Sequence, residues 1–91
     1  MTIYDAMNNK ISVEMQESFG RYVKHGIPTG GFLRAVLSND LFDAMARADL
    51  ENRDNLFNIV YYVAHNLPYE SYGSKDIVDT WKGLVNDVSK C

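Results

Sequence analysis

Residues 25–40, HGIPTGGFLRAVLSND, place one proline and three glycines directly before a run of helical character. The apolar residues of that run recur at intervals of three and four positions: Phe32, Leu33, Val36 and Leu37. Gly26 suits the left-handed backbone position that follows a helix, and Pro28 or Thr29 suits the opening of the next one. The stretch therefore predicts a helix end, a short turn and a second helix.

Helical signals continue on both sides of this turn. Ser12 is a suitable N-cap for a first helix, Asn39 or Asp40 for a third, and Ser74 for the last. Apolar residues at helical spacing predict four further stretches of helix. The first ends at Gly26, the next carries Leu41, Ala44, Met45 and Ala48 on one side, and a third runs from Leu56 to Leu67. The last extends from Ile77 through Trp81, Leu84 and Val85 to Val88. No stretch alternates as a strand does. We predict an all-α fold, a compact bundle of four to five short helices.

Length and composition favour one domain. The chain has 91 residues, of which 46% are apolar, enough for one core but not two. We expect an N-terminal arm over residues 1–11 and a single helical domain over residues 12–91. Because so small a core leaves little net stability, we also expect a homo-oligomer.

The sequence also limits where the protein acts. It has no window of roughly 18 apolar residues and no signal-peptide pattern, so we expect a cytoplasmic protein without membrane contact. The one cysteine, Cys91, excludes an intrachain disulfide and a multi-cysteine metal site.

Charge is distributed unevenly along the chain. The net charge of −3 argues against general nucleic-acid binding. Residues 18–39, however, contain no Asp or Glu, so their cations form a locally basic segment around the glycines. A phosphate or carboxylate could bind there, to cationic side chains, to hydroxyl and imidazole donors, and to backbone N–H groups at a helix N-terminus. The predicted ligand-binding residues are Arg21, Lys24, His25, Thr29, Gly30, Gly31 and Arg34. The alternative is a plain helix-to-helix corner with solvated cations.

Other groups of residues give weaker evidence of a functional site. Tyr69 and Tyr72, near Pro68, are candidates for stacking on a base, although aromatic residues at helical spacing are more often core. Asp40 and Asp43 could meet at i, i+3 on a helix, but capping explains them and we reject a metal site. No nucleophile and base can be paired for catalysis. We therefore expect no enzyme activity, no metal and no cofactor.

The run GRYVKHGIPTGGFLRAVLSNDLFDAMARAD, followed by LPYESYGS before Trp81, resembles a family of short uncharacterised proteins from phages, prophages and bacterial accessory DNA. That family shares a GIPxGxFLxAVLxNDL core. The resemblance implies a setting and no particular chemistry: a small accessory protein that is phage-encoded and would act in the cytoplasm of the host cell. A role in counter-defence is our hypothesis for such a protein.

Two hypotheses follow from the residues and this setting. In the first, the protein sequesters a small anionic, nucleotide-type signal at the glycine-containing helix N-terminus. In the second, it is a protein–protein inhibitor or adaptor that binds a host factor through an acidic and aromatic helical face. The acidic residues of that face are Asp40, Asp43, Asp49, Glu51 and Asp54.

Overall fold

A computed structural model describes residues 11–84, and these residues form helices and turns without a strand. The predicted all-α class is confirmed. The helices are α1 (Val13–His25), α2 (Gly31–Leu37), α3 (Leu41–Arg47), α4 (Leu50–Asp54), α5 (Leu56–Asn66) and α6 (Lys75–Thr80), with a 3₁₀ turn at Tyr69–Ser71 before α6. Residues 1–10 of the expected N-terminal arm lie outside the described residues, and Ile11 is buried in the core.

Side-chain caps fix the starts of several helices. The hydroxyl of Ser12 accepts from the Met15 N–H, and that of Ser74 from the Ile77 N–H, as predicted. Of the two candidates for α3, Asp40 is the cap, since its carboxylate accepts from the Asp43 N–H. The polar stretch before α5 forms a helix of its own, α4.

The prediction that α2 begins at Pro28 or Thr29 is wrong. Its N-cap is Gly30, and Gly31 is the first helical residue. The Thr29 hydroxyl donates to the Gly30 carbonyl at 3.2 Å, and no side chain caps the amides of α2.

The last helix is shorter than its periodicity predicts. α6 ends at Thr80, and Gly83 has a φ of 91°, outside any helix. The Trp81 indole N–H donates to the Tyr22 carbonyl at 2.8 Å, and the Leu84 N–H to the Val23 carbonyl at 2.9 Å. Beyond Thr80 the chain therefore donates to the end of α1: Leu84 supplies a donor to the Val23 carbonyl, and Trp81 supplies a second donor to the Tyr22 carbonyl, which also accepts from the Gly26 N–H. Val85 and Val88 lie outside the described residues.

The core joins α1, α2 and α5. Phe19 on α1 stacks on Tyr62 on α5 with ring centroids 5.5 Å apart, and Leu37 and Ile59 are fully buried. The buried Tyr22 hydroxyl donates to the Ser71 carbonyl at 2.7 Å, which ties α1 to the 3₁₀ turn. None of the helices within residues 11–84 has the length and apolar character required to cross a membrane.

Candidate functional site

Three of the predicted ligands lie on an exposed face of α1. Arg21, Lys24 and His25 line an open cavity of about 320 Å³ together with Glu17 and Gly20. Glu17 is four residues before Arg21, so its carboxylate offsets part of the positive charge of this face. The remaining predicted ligands do not border this cavity. The structure therefore separates the cations of α1 from the rest of the predicted anion site.

Arg34 lies between two other cavities. The first, of about 270 Å³, contains aromatic rings and is lined by Tyr22, Gly26, Pro28, Thr29, Arg34, Val78, Asp79 and Trp81. The second, of about 260 Å³, is lined by Gly31, Arg34, Ala35, Ser38, Asp40, Asp43, Arg47 and Lys75. The Arg34 guanidinium donates to the Asp79 carboxylate, and both side chains are part-exposed. An anion that binds Arg34 would have to share it with Asp79.

The second cavity brings together cations from three helices. Arg34, Arg47 and Lys75 come from α2, α3 and α6. The Arg47 Nε donates to the Asp43 carboxylate at 2.9 Å, whereas Lys75 has no ion pair within residues 11–84. A Cβ on Gly31 would lie 2.8 Å from the Arg47 Nη1, so the missing side chain leaves room for this guanidinium. We name this cluster the three-cation cavity.

Gly26 lies against the C-terminal segment. It has a φ of 70°, and a Cβ there would lie 2.7 Å from the Lys82 carbonyl oxygen. A Cβ on Gly83 would in turn lie 2.6 Å from the Gly26 nitrogen and from the Lys24 carbonyl oxygen. Residues 82–84 thus cover the end of α1, and two facing glycines let the backbones meet. The absent side chain of Gly26 serves this packing.

The predicted stacking tyrosines lie elsewhere. Tyr69 is 84% exposed, and its ring contacts Tyr72 edge-on with centroids 6.5 Å apart. Neither residue borders the cavities at Arg34. The rings that share a cavity with Arg34 are those of Tyr22 and Trp81. Burial raises the pKa of the Tyr22 hydroxyl to about 12, and the positive charge of Arg34 offsets part of that rise.

Six of the exposed large apolar side chains within residues 11–84 lie on α3, α4 and α5. Phe42 is 87% exposed, Leu50 72% and Phe57 68%. We name this area, with its part-exposed neighbours, the α3–α5 face; the neighbours are Leu41, Met45 and Val60. The sequence places those three on buried helix stripes, and that interpretation is wrong: Leu41, Met45 and Val60 are 58%, 41% and 45% exposed, and no further helix among residues 11–84 covers them. Phe42 and Phe57, which lie off the predicted stripes, were the available signal.

A groove runs along this face. Two cavities, of about 260 and 180 Å³, share Val36, Asn39 and Val60, so we treat them as one feature, the Val60 groove. One end of the groove is lined by Leu41, Ala44 and Leu56, and the other by Val63, Ala64, Tyr72 and Gly73. Beside it, aromatic rings follow α5 at four-residue intervals, since Phe57 packs on Tyr61 and Tyr61 stacks on His65 with ring centroids 4.0 Å apart.

No three His, Cys, Asp or Glu side chains among residues 11–84 are grouped so that they could hold a metal ion. Comparison with models of protein families, with curated proteins and with solved structures finds no match. The resemblance to phage and accessory proteins therefore stays a prediction.

Proposed function

We propose that this chain is a small non-enzymatic binding protein that docks a partner protein on the α3–α5 face and acts as an inhibitor or adaptor. The observation that carries this proposal is the exposure of Phe42, Leu50 and Phe57 on consecutive helices. Large contiguous apolar areas are uncommon on monomeric proteins and mark interaction sites.

The energy available on this face is sufficient for a specific contact. Full burial of one Phe or Leu side chain contributes about 1.5–3 kcal/mol relative to exposure. A partner that covers Phe42, Leu50 and Phe57 would thus gain a binding free energy of several RT from each side chain. Aromatic anchors in particular carry a large share of interface energies. The resemblance to phage accessory proteins supports a bacterial host factor as the partner.

Affinity capture from a bacterial lysate tests this function. The bait is the tagged protein, and the comparison is the Phe42→Ser/Phe57→Ser variant, whose two substitutions lie on solvent-exposed sites and should leave the fold intact. Val13→Ser, at an apolar site on α1 that is 68% exposed, is the matched control. We expect a stoichiometric partner that remains bound in high salt to wild type and to the control but not to the double variant. Equal recovery on all three baits would refute the proposal.

A second candidate function is supported by the three-cation cavity. Arg34 borders both this cavity and the one that holds Tyr22 and Trp81. A ligand with a phosphate and a planar base could therefore reach cations on one side of Arg34 and aromatic rings on the other. This arrangement supports sequestration of an anionic, nucleotide-type signal, with Arg47 and Lys75 in the roles that the sequence assigns to Arg21 and Lys24.

Calorimetry with a panel of cyclic and linear nucleotides tests the second function. Lys75→Ala should abolish the heat of binding, because Lys75 is the cation of the cavity that is not held by a carboxylate. Lys24→Ala removes the same charge from the separate cavity on α1 and should bind as wild type does. No heat with any nucleotide, or the same loss in both variants, would exclude the three-cation cavity as the site.

A further inference from the structure

The Val60 groove has dimensions that suit a helix. Its α5 wall extends from Leu56 to Ala64, and within it Leu56 and Val63 lie seven positions apart, about 10 Å at the helical rise of 1.5 Å per residue. An amphipathic helix presents its apolar anchors at i, i+3 or i+4, and i+7. Its outer anchors are therefore also seven positions, or about 10 Å, apart, like Leu56 and Val63. Two cavities joined at Val60 can therefore hold successive anchors of one helix.

The charge of the helices next to the groove distinguishes between possible occupants. Residues 40–54, which form α3, α4 and their caps, contain five acidic and two basic residues, a net charge of −3. One ion pair within this segment, between Asp43 and Arg47, neutralises one carboxylate. The other four carboxylates form no ion pair within residues 11–84. Asp40 lines the groove, whereas Asp49, Glu51 and Asp54 belong to α4 and its cap, directly before α5 in the chain. We name these four residues the acidic rim.

This charge disfavours a second copy and favours a basic partner. In a two-fold dimer the same surface meets itself, so two net-negative segments would face each other. Complementary charge, in contrast, accelerates association and selects the partner. We infer that the Val60 groove binds an amphipathic helix of the partner protein whose apolar anchors at i, i+3 or i+4, and i+7 are flanked by Lys or Arg. This inference rests on the proposed function and specifies the chemistry of its partner.

Selection from a displayed library of random 16-residue peptides tests the inference without knowledge of the partner. Wild-type protein is the target, and Val60→Lys, which adds bulk and positive charge to the middle of the groove, is the counter-selection. Val60 is 45% exposed, so this change should leave the fold intact. We expect enriched peptides with helical apolar spacing and an excess of Lys and Arg. Their affinity should fall by about tenfold or more in Val60→Lys, as for loss of one well-packed anchor.

The acidic rim is tested with isosteric variants. Asp40 and Asp49 cap helices through their Oδ1 atoms, and Asn retains the capping function without the charge. Replacement of the rim by Asp40→Asn, Asp49→Asn, Glu51→Gln and Asp54→Asn should weaken the selected peptides by about fivefold or more at low salt and flatten the salt dependence. Val13→Lys, away from the groove, should leave both properties unchanged.

Several outcomes would overturn the inference. These are peptides that are acidic or lack helical spacing, peptides that bind Val60→Lys equally well, no enrichment at all, or a wild-type dimer in light scattering that Val60→Lys dissociates. If any of them occurs while lysate capture still yields a partner that depends on Phe42 and Phe57, the proposed function stands and only the helix assignment fails.

Discussion

Substitution of Gly83 by alanine should destabilise the fold through backbone strain and steric overlap together. Its φ of 91° lies in the region that L residues avoid, at a cost of about 1–2 kcal/mol. The new Cβ would also lie 2.6 Å from backbone atoms of Lys24, His25 and Gly26, which cannot turn away as a side chain can. Overpacking of this kind costs about 1–3 kcal/mol. Together we expect Gly83→Ala to lower the free energy of unfolding by roughly 2–5 kcal/mol.

Urea unfolding measures this effect directly. Trp81 is the one tryptophan of the chain and lies next to the contact, so its fluorescence reports the segment while circular dichroism reports the helices. Gly20→Ala is the control: an added Cβ at this position of α1 has no atom within 4 Å, and Ala should stabilise the helix by about 0.5–1 kcal/mol. Asn tolerates positive φ but keeps the Cβ, so Gly83→Asn should also destabilise. A Gly83→Ala protein as stable as wild type would refute the close backbone contact.

Three further predictions concern other parts of the molecule. Burial raises the pKa of Tyr22 to about 12, so the folded state retains a proton that the unfolded chain loses near pH 10. The free energy of unfolding should therefore fall by about 1.4 kcal/mol per pH unit between about pH 10 and 12. Tyr22→Phe should remove this slope in unfolding curves recorded from about pH 9 to 12. Ser74→Ala removes the acceptor of the Ile77 N–H and should lower the free energy of unfolding by about 1 kcal/mol, while Ser74→Asp should preserve it. Phe42→Ser should change the midpoint of thermal unfolding little, because its ring is 87% exposed, and a large decrease would show that the side chain belongs to the core.

Local signals in the sequence account for most of the helical fold. Ser12, Asp40 and Ser74 cap helices because short polar side chains satisfy amides within their own turn, which is information that neighbouring residues carry. Gly26 likewise ends α1 at a positive φ. The early end of α6 could not be predicted in this way. Beyond Thr80, Trp81 and Leu84 bond to carbonyls of α1, residues that periodicity does not connect.

The candidate sites, like the fold, were predictable from the sequence only in part. The sequence identifies the cations on both sides of the glycine turn, but the direction of each side chain depends on how α1 and α2 pack. The structure places Lys24 on an outer face and Arg34 between two cavities, where Lys75 from a distant part of the sequence joins it. The Val60 groove also required the tertiary structure, since a helical stripe indicates which residues share a side but not whether another helix covers it.

The pairing of Gly26 with Gly83 also constrains how the protein is made. The end of α1 is synthesised early, whereas the segment that covers it follows the six helices that residues 11–84 contain. Until that segment leaves the ribosome, the carbonyls of Tyr22 and Val23 can satisfy their remaining bonding capacity only with water or transient partners. The fold can therefore close only after residues 81–84 have emerged, so premature termination before Trp81 should yield chains whose first helix frays at its carboxyl end.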